Sequence, residues 1–317
     1  MTRILTPWES GLLGIFLITL ALNVAIVPEF LTLQNQINLF QLSIEKIIVA
    51  LIMTLIIINA EIDLSVASVM GLSAAIFGYL VSIGVDGRLA IAVCLAAGLL
   101  AGLVNALLSA RLGIPSLVVT LAMLIGFRGF ARVLVKDNSL GDFPTWFTDL
   151  GQKGFLGPIP LSLWIFVILL MVFGVLLHRT TFGRQVVIIG TSSDVARFSG
   201  LNVARVKTQL FLMSGLVSAL AGLLYAARLG SVRGDSGIGF ELDIITMVLM
   251  GGVSIFGGKG SMTGVVLSIL IILNLRNGMA LMNITGHLQT GVIGLLLIGS
   301  VLLPNIVSGL RGRRETT

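Results

Sequence analysis

Charge is what this chain has least of: only 11% of its 317 residues are Asp, Glu, Lys or Arg, against roughly 25% in an ordinary soluble domain. That scarcity excludes a water-soluble globular chain, because too few polar groups exist to cover a solvent-facing surface. Cysteine is scarcer still. The single residue, Cys94, excludes a disulfide framework, and its place in LAIAVCLAAGLLAGLV reads as a small buried side chain. Two histidines, His178 and His287, fall at opposite ends of different apolar runs, so neither a metal site nor a His-based nucleophile system can be assembled from them. No enzyme, metal or cofactor is expected from these residues.

What the chain has is apolar sequence, 56% by residue, with a mean hydropathy of +1.08. A helical bilayer span takes about 20 apolar residues. Spans are expected near 9–27, 41–59, 64–84, 89–110, 115–133, 161–177, 208–228, 242–256, 262–282 and 288–306. The expected fold is all-α: one polytopic transmembrane domain over residues 1–317, with about ten helices, the first an uncleaved span. An even number of spans puts both termini on one side. Eleven of the 20 basic residues fall on that side: Arg3, Arg111, Arg179, Arg184, Arg197, Arg205, Lys207, Lys259, Arg311, Arg313 and Arg314. By the positive-inside rule both termini are expected to be cytoplasmic. The opposite loops hold Arg88, Arg132, Lys136, Lys153, Arg228 and Arg233, offset by acids such as Asp86, Asp137, Asp149, Asp235 and Glu241. The net charge of +6 is mostly this asymmetry, so no nucleic-acid partner is implied.

Two loops are long. Residues 134–160 suggest an outer loop with a short amphipathic segment at FPTWFTDL. Residues 178–207 form the largest cytoplasmic loop, in which SDVARFSG is expected to make a short helix capped by Ser192 or Ser193 and stopped at Gly200. Spacing alone fits a docking knob or an ordinary solvated basic loop equally well.

A repeat lies across the chain. EIDLSVASVMGLSAAIFG (61–78) aligns without a gap on ELDIITMVLMGGVSIFGG (241–258), placing Glu61 on Glu241 and Asp63 on Asp243. With the first copy at a cytoplasmic span end and the second at an outer one, the halves (about 41–133 and 208–306) would be inverted repeats, unless two similar helix starts arose by chance. The Gly-rich GGVSIFGGKGSMTG (251–264) is no phosphate loop: Val253 stands where the first Gly is required and Gly260 where Ser or Thr is. Close helix approach and a tight turn are its expected uses.

Three motifs carry a family resemblance: Glu61-Ile62-Asp63-Leu64-Ser65-Val66-Ala67-Ser68; Gly183-Arg184, Gly190 and Asp194 to Leu201; and Gly251 to Gly260. The chain resembles the membrane-spanning subunits of bacterial ABC sugar importers, the family of ribose, xylose, galactose, rhamnose and autoinducer-2 permeases. Glu61 and Ala67 stand where ribose-type members usually have Gly, and Asp194-Val195 replaces the usual acidic-alanine pair. The resemblance implies a type II-like importer permease. It would work with a second permease chain (a homo- or heterodimer), a separate ABC ATPase subunit that hydrolyses the ATP, and a periplasmic substrate-binding protein. It also implies a coupling segment at residues 190–205, carried by Asp194, Ala196, Arg197 and Gly200. Arg88 and Arg233 are candidates for binding-protein docking, or are simply solvated loop charges. Asn59, Glu61, Asp63, Ser65 and Asn105 are the candidates to line or border the translocation pathway, with Asn105 equally suited to an interhelical hydrogen bond. The competing expectation is an ion-coupled secondary transporter in which Glu61 or Asp63 carries a proton.

Overall fold

The computed structural model describes residues 6–136 and 138–312, with side chains through residue 299. Of the charges used above for topology, Arg3, Asp137, Arg313, Arg314 and the Arg311 side chain lie outside the described residues.

Helix α1 (Pro7–Ile26) opens on a capping box in which Thr6 Oγ1 accepts from Glu9 N–H and Glu9 accepts from Thr6 N–H. Next come α2 (Leu33–Gln41) and α3 (Ile44–Ile58), an apolar pair bent by 56°. After a linker at 59–65 follow α4 (Val66–Ser82), α5 (Gly87–Ala106), a π-helical turn (Leu107–Arg111) and α6 (Ser116–Val135). The segment expected to be amphipathic is α7 (Thr145–Gln152), between β1 (Ser139–Leu140) and the β2 (Gly154–Leu156) and β3 (Ile159–Pro160) ribbon. Then α8 (Leu161–Arg179), α9 (Thr181–Thr191) and the short α10 (Ser193–Phe198) lead into α11 (Val203–Leu229). Strand β4 (Val232–Arg233) pairs with β1, and α12 (Phe240–Met250), α13 (Met262–Leu281) and α14 (Gly286–Gly312) complete the chain.

The chain is a polytopic all-α membrane protein. Every expected apolar stretch holds a helix, but among the described residues six helices are long and apolar enough to cross a bilayer, or seven if α2 and α3 make one span. The expected span at 242–256 is shorter than its hydropathy suggests. Helix α12 has 11 residues, about 16 Å at 1.5 Å per residue. It stops because Gly251 caps it and Gly252 turns to φ +86°.

Helix α3 is the centre of the bundle, with all 15 of its residues buried. A helix apolar on every side can be satisfied only by neighbours all round it. Its longest neighbour is α11, whose 27 residues span about 40 Å and pack along α3, α4 and α5. Inside a bilayer such packing rests on close approach, since lipid is as apolar as leucine. Glycines supply it. A Cβ on Gly98 or Gly102 of α5 would strike the α11 backbone, and one on Gly222 of α11 would strike Met70 O of α4. Cys94 is buried in this region, its thiol 3.3 Å from Ser73 O.

The loops sort to two ends. At one, the β1–β4 pair and α7 close over α4, with Phe77 stacked on Phe147 at 3.9 Å. At the other, the 59–65 linker, α9, α10 and the turn after α12 come together.

Candidate functional site

The linker at 59–65 is where the polar residues of the second and third apolar stretches meet six helices. Asn59 ends α3 and donates from Nδ2 to Val186 O of α9 at 3.1 Å. Ala60 then takes φ +61°, a left-handed turn that a residue with a Cβ adopts only under tertiary compulsion. On α6, Ser116 Oγ accepts from Ile62 N–H at 3.2 Å and Thr120 Oγ1 donates to Ile62 O at 3.1 Å. Asp63 collects three donors. Its Oδ1 accepts from Ser65 N–H at 3.0 Å and Ser65 Oγ–H at 2.6 Å, and its Oδ2 accepts from Ser214 Oγ–H of α11 at 2.7 Å. Asn105 Nδ2 of α5 donates to Ser65 Oγ at 2.8 Å, an interhelical hydrogen bond. Such a fully occupied carboxylate acts as a clamp on the start of α4.

Glu61 is held differently, by an ion pair with Lys207 in the first turns of α11. Lys207 and Ser214 lie seven residues apart, two turns on one face of α11, so this helix grips both carboxylates of the linker. Sequence reasoning found Glu61, Asp63 and Ser65 but neither grip, because their partners are 146 and 151 residues away along the chain. The expected pathway residues Asn59, Asp63, Ser65 and Asn105 are each at most 2% exposed. In this conformation their hydrogen bonds turn inward, to the chain's own helices.

The expected short helix exists. Ser192 Oγ caps α10 by accepting from Val195 N–H at 3.3 Å, Ala196 is the buried anchor, and Gly200 leaves the helix at φ +79°. Asp194 and Arg197 are exposed on its outer side. Two residues after Gly200, Asn202 caps α11 by accepting from Arg205 N–H at 2.9 Å. The short helix therefore feeds directly into the helix that holds the linker. Arg88 and Arg233 sit exposed at the opposite end, Arg233 paired with Asp235 at 3.2 Å.

That opposite end also holds a charge network that the sequence reading missed. Lys46 and Arg276 share Asp243, at 3.0 and 2.6 Å, while Glu45 pairs with Arg228 at 2.8 Å and Glu241 with Arg128 at 3.5 Å. The available signal was Glu45-Lys46 itself, two charges opening an otherwise apolar run. The aligned acids Asp63 and Asp243 thus lie at opposite ends of the bundle. Their local structures differ: Asp63 is in an unwound linker and Asp243 in the first turn of α12.

The three sequence motifs, far apart in the chain, converge. Ile58 O accepts from Gly258 N–H at 2.8 Å. A Cβ on Gly190 would overlap Ile58 O, and one on Gly257 would meet Ala60 and Gly190 O. Residues 35–301 match a family described as "Branched-chain amino acid transport system / permease component". The chain belongs to this permease family. It is 38% identical over 257 residues to the autoinducer 2 import system permease protein LsrD of Yersinia enterocolitica, covering 79% of this chain and 77% of the relative. The LsrD proteins of Yersinia pseudotuberculosis and Yersinia pestis match over the same shares at 38% and 37%. No solved structure matches. The resemblance to bacterial ABC sugar importer permeases therefore holds, and the permease is a transporter component rather than an enzyme.

Proposed function

We propose that the permease is the membrane-spanning subunit of an ATP-driven, binding-protein-dependent importer in a bacterial inner membrane. Its solute is a monosaccharide or similarly small polyol; autoinducer-2, named for its relatives, is the first to test, with ribose and rhamnose beside it. The observation that carries the reading is the continuous link from α10 through Asn202 and α11 to the Glu61 and Asp63 linker. A separate ATPase seated on Asp194, Ala196, Arg197 and Gly200 moves α11, and α11 moves the break between α3 and α4. Glu61 borders the solute's route, while Asn59, Asp63, Ser65 and Asn105 hold its wall from behind.

Ten crossings in two opposed halves, with both termini cytoplasmic, fit the helix positions and the gathering of Arg111, Arg184, Arg205 and Lys259 at the α10 end. Arg88 and Arg233 at the far end meet acidic groups on a periplasmic binding protein. A second permease chain, identical or different, completes the pore. The ion-coupled alternative finds less support, since Glu61 is neutralised by Lys207 and Asp63 is occupied by three donors.

The test is uptake into proteoliposomes holding the permease, its ATPase and its binding protein. Import is expected to need ATP and the binding protein and to survive a protonophore. Import that a protonophore abolishes while ATP is maintained would favour the ion-coupled transporter.

A further inference from the structure

The turn between α12 and α13 is rigid, yet it presents the most exposed aromatic side chain after Phe198 among the described residues. Ser254 N–H donates to Lys259 O at 2.9 Å, Gly257 N–H to Ser254 O at 2.9 Å, and Gly258 N–H to Ile58 O at 2.8 Å. Gly257 and Gly258 take φ of +80° and +71°, and a Cβ on either would collide with Ala60 or Thr191. A loop this constrained cannot fold its tip inward, and Phe256 is left 88% exposed beside Ile255 at 49%.

The neighbourhood says what covers it. Gly257 and Gly258 rest on Gly190 and Thr191, the last residues of α9. Two residues further on α10 begins, carrying Phe198 at 94% and Val195 at 59% exposure. Both apolar tips therefore stand on one platform, with exposed Arg197 and Lys259 next to them. The platform lies over the end of α3, the fully buried central helix, and not against the lipid-facing sides of α1, α6 and α8. A subunit docked on the end face reaches this position, whereas a lipid surface meets the perimeter.

We infer that Phe256 and Ile255 form a second docking foot for the ATPase subunit, fitting an apolar pocket with an acidic rim and separate from the foot at α10. The inference rests on the ATP-driven reading above. The α10 foot leads into α11 and the Phe256 foot into α12 and α13, so one partner holds the second half of the permease from two points.

The chain's single native cysteine is buried, which leaves an introduced cysteine as the one reactive thiol. F256C and F198C, each carrying a thiol-linked photocrosslinker, are assembled with the ATPase in nanodiscs and irradiated. Both are expected to crosslink to the ATPase. F256A should lower ATPase co-purification about tenfold while F256L largely retains it, as expected for an aromatic anchor in a pocket. If F198C reaches the ATPase while F256C labels only lipid or a second permease chain, the second foot is overturned and the ATP-driven reading stands. If neither reaches it, both fall.

Discussion

Glu61 and Asp63 stand two residues apart and are held in opposite ways, one by a full charge and one by neutral donors. Asp63 and Ser65 were legible because their partnership is local: a carboxylate two residues ahead of a hydroxyl at a helix start is a familiar capping arrangement. Their remote partners were not, since Ser214 and Lys207 look like ordinary polar residues on a long helix until folding sets them opposite the linker. Replacing Ser214 with Ala removes one of Asp63's three donors and should cost about 1 kcal/mol, read as a lowered melting midpoint in detergent. Asp63→Asn removes the charge from all three bonds and one acceptor oxygen, so that Ser214 Oγ must turn to accept from the amide, and should cost more, about 1–3 kcal/mol. Glu61→Gly restores the residue usual in ribose-type relatives but leaves Lys207 without its partner. Glu61→Gly combined with Lys207→Ala should melt closer to wild type than Lys207→Ala alone, with a coupling of about 0.5–3 kcal/mol in the double-mutant cycle.

The elements divide by the range of the forces that set them. Helix α10 was readable to within a residue of its N-cap, Ser192 rather than Ser193, and to Gly200, because capping chemistry is local. Helix α12 was not, because hydropathy continues past Met250 through Val253, Ile255 and Phe256 while the backbone has already turned at Gly251 and Gly252. Local structure under the repeat was equally hidden: matching letters at 61–78 and 241–258 cover a linker followed by a helix in one copy and a helix followed by a turn in the other. Two glycines test the element scale. Gly200 needs a positive φ but has open space around it, so Gly200→Ala should cost only backbone strain, about 1–2 kcal/mol. Its effect belongs in coupling: insertion in the membrane is retained, and uptake per ATP hydrolysed falls. Gly190 sits against Ile58 O, and Gly190→Ala should separate α9 from the end of α3 and lower the melting midpoint more than Gly200→Ala does.

At the scale of the molecule, composition and periodicity were enough to show a helical membrane protein, and three short motifs were enough to place its family. What they could not show is that these motifs meet on one surface, since nothing in a linear pattern encodes Gly258 N–H reaching Ile58 O, 200 residues earlier. The same holds for the far end, where Glu45, Lys46, Asp243 and Arg276 come from distant helices. In the proposed mechanism, motion at the ATPase seat reaches the linker between α3 and α4 through α11. The most direct measurement is the ratio of solute imported to ATP hydrolysed in proteoliposomes holding permease, ATPase and binding protein, for wild type, Lys207→Ala and the exchanged pair Glu61→Lys with Lys207→Glu. Lys207→Ala should keep hydrolysing ATP but import about tenfold less per ATP, a barrier of about 1.4 kcal/mol, and the exchanged pair should recover much of the loss. A wild-type ratio in Lys207→Ala would contradict the mechanism.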